Sequence, residues 1–191
     1  MKFIGIWQLA YTGNRKQLER ITPLKALIFI ELDGTVNPGV YFQTYEVDWK
    51  LNKTLAKQFT DPLIKDINFF FVNRAWHAFN QKSADYLKDL CEKYDAKIVV
   101  NFSWCMLDTA HIKSLLRLVD LQDYVLDEEV KGKSPVQMIH ECLAKYNIDN
   151  YLVLTREFHI THMFKNNSIQ TFKLFTKEDY NKAVEILERE A

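Results

Sequence analysis

The chain has 191 residues, 48% of them hydrophobic, which suits one domain with a sizeable buried core and excludes a disordered polymer. Lys plus Arg and Asp plus Glu number 25 each, so the formal net charge is zero and the global balance carries no nucleic-acid or anionic-membrane footprint; a local basic groove is still compatible with it. Cys91, Cys105 and Cys142 are few, odd in number and scattered, which fits a reducing compartment. The N-terminal run MKFIGIWQLAYTG is too short and too polar for a signal peptide or a membrane span. The expectation is a soluble cytoplasmic protein.

In chain order, residues 1–24 form an N-terminal extension. Phe3, Ile4, Ile6 and Trp7 suit a short strand, and Asn14 to Ile21 a short helix that Thr22-Pro23 would end. Residues 25–35 read KALIFIELDGT. The apolar run Leu27-Ile28-Phe29-Ile30 ends in Glu31, Asp33 and Gly34, the pattern of a buried parallel strand opening into a polar loop. In an open α/β sheet that carboxyl end is where ligands sit. Asn37-Pro38-Gly39 signals a turn. Tyr41 to Trp49 alternates like a strand or hairpin arm, and Phe69 to Val72 is a further apolar run. Residues 36–80 hold ten aromatics in 45 residues, among them Trp49, Phe70 and Trp76, well above the 14% of the whole chain. A helix fits Lys82 to Tyr94, with Asn80 or Ser83 as its cap.

From there the pattern is regular. It predicts a strand at Lys97–Val100, a helix at Thr109–Val119, a short strand at Tyr124–Leu126 and a helix at Ser134–Tyr146 with Pro135 in its first turn. Strands follow at Tyr151–Leu154 and Ile169–Phe175, and then a last helix opened by a Thr176/Asp179 capping box. Strands alternating with helices predict an α/β fold with a parallel sheet.

The segment Glu31-Leu32-Asp33-Gly34-Thr35 resembles motif I of the haloacid dehalogenase (HAD) superfamily, an apolar strand followed by Asp-x-Asp-Gly-Thr. The run Asp33 to Pro38, together with Asn101-Phe102-Ser103-Trp104 after a strand, resembles a HAD branch associated with multidomain RNA-repair proteins. Gly132-Lys133-Ser134-Pro135 before a helix is similar to motif III. The resemblance covers roughly residues 25–190. It implies a Rossmann-like parallel sheet in the order 5-4-1-2-3, built from residues 25–35 and 96–191. It also implies a small aromatic-rich cap at 36–80, all within a single 191-residue domain. It implies a nucleophile at position 31, an acid/base at Asp33, and phosphate contacts from Asn101 or Ser103 and from Lys133, with Lys131 as the alternative.

Two positions depart from the pattern. Glu31 stands where the superfamily has its aspartate nucleophile, one methylene further out. The strand Tyr151–Leu154 ends in Thr155-Arg156-Glu157, where the family's motif IV places acids for Mg²⁺. Mg²⁺ prefers octahedral oxygen ligands, usually including carboxylates, and Arg156 brings a permanent cation instead. The expectation is a HAD-like pseudoenzyme without a metal cofactor. It would keep a phosphate-sized, partly basic pocket (Asn101 or Ser103, Lys133, Arg156), with the Arg156 guanidinium taking the charge position beside Asp33. The alternative is an active Mg²⁺-dependent phosphohydrolase using Glu31, Asp33 and Glu157, or Asp127, as metal ligands. A third reading makes residues 36–80 a surface for a protein partner or for self-association. A phosphorylated small molecule is the candidate ligand of the pocket. His159 and His162 lack a third metal ligand in sequence, and Cys105 lacks a neighbouring His.

Overall fold

The computed structural model describes residues 24–38, 45–100, 104, 107–127 and 134–189. The expected strand and helix of the N-terminal extension, Tyr41 and Phe42, Asn101, Ser103, Cys105, Lys131 and Lys133 lie outside the described residues. The architecture is α/β and Rossmann-like. A four-stranded, all-parallel sheet in the order β2-β1-β3-β4 is flanked by helices. Its strands are β1 (Ala26–Ile30), β2 (Ala96–Val100), β3 (Tyr151–Thr155) and β4 (Ser168–Gln170). Among the described residues no helix is long and apolar enough to cross a membrane.

The central strand shows why its sequence is uninterruptedly apolar. Ala26, Ile28 and Ile30 face one core and Leu27 and Phe29 the other, and all five are fully buried. Side chains alternate along a strand, so a strand covered on both faces has no position left for a polar residue. The first core is completed by α3 (Gln81–Tyr94), α4 (Thr109–Leu116) and α7 (Lys177–Arg189). The second is completed by α5 (Pro135–Tyr146) and α6 (Phe158–Met163).

The helix boundaries follow local chemistry. The Asn80 side chain accepts from the Ser83 N–H at the start of α3, and Ser134 does the same for Gln137 at the start of α5, with Pro135 at the first helical position. Thr176 and Asp179 form the reciprocal capping box ahead of α7. Asp95 and Asn147 close α3 and α5 in the left-handed region, which Asp and Asn tolerate better than most residues.

Three expected elements differ. Residues 45–49, the described part of the expected Tyr41–Trp49 strand, form bends and turns; Asn73 accepts from the Asp48 N–H at 2.9 Å and donates to its carbonyl at 3.0 Å, so side-chain bonds replace a ladder. The strand expected at Tyr124–Leu126 shrinks to a single parallel bridge between Val125 and Ile98 after a 3₁₀ turn at Gln122–Tyr124. The strand expected over Ile169–Phe175 stops at Gln170, because the chain bends so that the Phe175 N–H can bond the Thr35 carbonyl at 2.9 Å.

Between β1 and α3 the chain folds as α1 (Leu51–Gln58), a 3₁₀ turn at Pro62–Lys65, and α2 (Phe69–Ala78). The Phe69–Val72 run is helical because Asn68 caps it and Val72 and Ala75 share the buried face. Buried Asn52 donates to the carbonyls of Ile64 and Ile67 at 3.1 and 2.6 Å, which satisfies backbone groups the short turn leaves open.

Candidate functional site

Parallel pairing of Ile30 with Leu154 brings the carboxyl ends of β1 and β3 side by side, and the Glu31 N–H bonds the Leu154 carbonyl at 3.0 Å. Position 31 therefore leaves the sheet beside Thr155 and Arg156. The Glu31 carboxylate is buried. One oxygen, Oε2, accepts from the Arg156 N–H at 2.7 Å and the Thr155 hydroxyl at 3.0 Å. The other, Oε1, faces Nη2 of Arg156 at 3.9 Å.

Beyond Leu32 the chain turns tightly. The Leu32 carbonyl accepts from the N–H groups of Thr35, Val36 and Asn37, and Gly34 sits at φ +90°. Only glycine adopts that conformation without strain. A Cβ there would also fall 2.5 Å from Cγ of Arg156 and 2.9 Å from the Thr171 carbonyl, so the Arg156 stem lies directly across Gly34. Asp33, also buried, is held by three donors on Oδ1: the Asn37 amide, Nη2 of Arg74 at 2.7 Å, and the indole Nε1 of Trp104 at 3.4 Å. The Arg74 guanidinium lies 5.5 Å from the Trp104 ring centre, and Phe71 and Phe79 pack on the same indole.

Both sequence-predicted carboxylates thus lie at the carboxyl end of the sheet, and Arg156 joins Glu31 there. The expected pairing is corrected in one respect. Arg156 sits beside Glu31, and the guanidinium beside Asp33 belongs to Arg74, a residue of α2 that the sequence reading passed over. Its signal was present. Arg74 lies one helical turn from Phe71 on the inner face of an apolar helix, where a charge is tolerated only with a buried partner. The strand-end loop after β2 does reach the site, through Trp104.

The proposed alternative metal ligands go elsewhere. Glu157 precedes α6 with its carboxylate 3.7 Å from Nδ1 of His159. Asp127 is bonded to the Lys113 ammonium, which holds its carboxyl below the usual range. His162 stacks on Phe158. Among the described residues no group of three acidic, His or Cys side chains converges to hold a metal.

The donor set does not fit Mg²⁺. Of the six oxygens an octahedral ion needs, Glu31 and Asp33 could supply a few, but those face two guanidinium groups and four further donor hydrogens. A divalent ion beside two arginines meets repulsion that the two carboxylates, already hydrogen-bonded, do not offset. The chain matches no protein-family model, no curated protein and no solved structure.

Proposed function

We propose that this chain is a HAD-like domain that does not hydrolyse phosphate esters, its catalytic carboxylates having become the anchors of two arginines. The observation that carries the reading is the pairing of Glu31 with Arg156 and of Asp33 with Arg74. A phosphoryl-transfer site needs a carboxylate free for in-line attack and a cation between it and the phosphate. Here one oxygen of the Glu31 carboxylate is held by a backbone N–H and a hydroxyl, and the other faces the Arg156 guanidinium, so the carboxylate is oriented by protein donors and its nucleophilicity lowered. Asp33, the expected acid/base, is fixed as an acceptor by a permanent cation.

The sheet order supports the superfamily resemblance. The four strands run β2-β1-β3-β4, and an isolated parallel bridge from Val125 to Ile98 lies next to β2, an arrangement compatible with the expected order. The helices between β1 and α3 fall in the interval where the resemblance expects a cap. The remaining role of the site is recognition of a phosphate-sized anion by Arg156 with Lys133 and Asn101 or Ser103, in a domain that otherwise acts by binding.

The test is a phosphomonoesterase assay with Mg²⁺ and Mn²⁺ on a panel of nucleotides and sugar phosphates, paired with thermal shift. The expected result is no turnover above the Glu31→Ala, Asp33→Ala double variant and no stabilisation by metal. Metal-dependent turnover that Glu31→Ala abolishes would overturn the reading and restore the phosphohydrolase.

A further inference from the structure

The helical insertion carries a second surface, away from the Glu31–Asp33 site. The outward face of α1, formed by Lys50, Lys53, Thr54, Lys57 and Gln58, borders a shallow, open depression of about 620 Å³. Positions 50, 53 and 57 fall within about 60° of arc and span roughly 10 Å of helix, so three exposed ammonium groups form a single row. No acidic residue lines the depression. The nearest in sequence, Asp48, is occupied by the Lys50 N–H at 2.8 Å.

Trp49, next to the first lysine, is 69% exposed. Its ring centre lies 4.2 Å from that of Phe69, and Phe69 lies 4.1 Å from Phe70, which is itself 56% exposed. Exposed aromatic rings are costly to leave in water without a partner. A row of cations that begins at Lys50, the chain neighbour of exposed Trp49, offers charges for phosphates and an aromatic ring on which any base can stack. The neutral net charge of the protein conceals this arrangement, because charges elsewhere cancel the lysines.

We propose that the α1 face binds single-stranded nucleic acid, the lysine row following the phosphates and Trp49 and Phe70 stacking on bases. Three phosphate contacts on a single strand give a slope of about −2 for log affinity against log salt. Raising salt from 50 to 200 mM therefore weakens binding about 20-fold.

Fluorescence anisotropy with labelled 12-mers of oligo(dT) and oligo(A) tests this, with inorganic polyphosphate and poly-glutamate as competitors and anionic phospholipid vesicles as a separate probe. The expected results are saturable oligonucleotide binding with that slope, a loss of at least ten-fold for Lys53→Glu/Lys57→Glu, and a flatter salt dependence in that variant. Trp49→Ala/Phe70→Ala is expected to weaken oligonucleotide binding about ten-fold and leave polyphosphate competition unchanged. All four side chains are exposed, and circular dichroism of each variant checks that it folds. Absence of oligonucleotide binding at 50 mM salt overturns the proposal. So does binding indifferent to the aromatic pair, or vesicle binding in place of oligonucleotide binding, which would make the α1 face a lipid surface.

Discussion

Replacing Arg74 by Met removes the cation facing Asp33 while keeping most of the side chain's apolar contact with Trp104. In the native protein the pair is 2.7 Å apart, with 27% of the Arg74 side chain and 10% of the Asp33 side chain exposed. A hydrogen bond to a charged group contributes about 1.5–3 kcal/mol, and stranding one member of a buried pair costs about 3–5 kcal/mol. Arg74 is about a quarter exposed, so water enters and recovers part of that loss; Trp104 and Asn37 still donate to Asp33. The expected destabilisation is therefore about 2 kcal/mol. For a chain of this length that corresponds to roughly 4–8 °C in Tm. Urea denaturation of four proteins measures it: the native protein, Arg74→Met, Asp33→Asn and the double variant. If the attraction between the two charges is the cause, the double variant is less unstable than the sum of the singles, by at least about 1 kcal/mol. A coupling below about 0.5 kcal/mol would refute the reasoning and reduce Arg74 to a packing residue.

Gly34→Ala combines a φ of +90° with a Cβ 2.9 Å from the Thr171 carbonyl, and should destabilise by about 2 kcal/mol or more in thermal melts; Arg156→Ala in the same chain relieves only the side-chain clash and leaves most of the loss. Glu31→Asp, although it would match the aspartate of the motif this segment resembles, withdraws the carboxylate from the Arg156 N–H and the Thr155 hydroxyl. It should cost about 1–3 kcal/mol by denaturant titration and yield no phosphatase activity. Burial in the core pushes the Cys91 thiol up to about 12, so native protein at pH 8 should resist thiol reagents at this position until denaturant opens α3, as peptide mapping after labelling would show. The sign for stability follows: the buried thiol's contribution is complete below the unfolded value near 9 and is lost as pH climbs from there towards 12. Alkaline melts of Cys91→Ala should fall less steeply over that range.

The sheet was legible because its signals are local. Five consecutive apolar residues ending in Glu31 and Asp33 can be read without any other part of the chain, and β3 likewise. The caps at Asn80, Ser134 and Thr176 were legible for the same reason, each bond spanning three residues. What failed was decided at a distance. The strand over Ile169–Phe175 has adequate propensity, but its last residue, Phe175, donates its N–H to the Thr35 carbonyl and accepts from the Ser83 hydroxyl at its own carbonyl. Alternation up to Trp49 could not announce that Asn73, 25 residues beyond Asp48, would take up the Asp48 backbone within the described residues 45–49. At the site, both carboxylates and Arg156 were legible in sequence, but not the second cation, Arg74. The partner of Asp33 comes from 41 residues away on a helix whose angular setting depends on how the whole insertion packs.

That setting also bears on what the insertion can do. A cap over a working hydrolase site must move to admit substrate and release product. Here α2 is tied to the site loop by Arg74–Asp33, and Trp104 is packed by Phe71 and Phe79 from the two ends of α2. A second ion pair, Arg117 Nε to Asp61 at 3.2 Å, fastens the 3₁₀ turn to the end of α4, with Asp61 largely buried. Opening would break both pairs and expose a tryptophan that is now 1% accessible, and burying a side chain of that size is worth about 1.5–3 kcal/mol even before the charges are counted. Movement on that scale is thermodynamically disfavoured without a ligand to compensate for it. The insertion is therefore held as a fixed, packed part of the fold, while Trp49 and Phe70 at its outward face stay exposed.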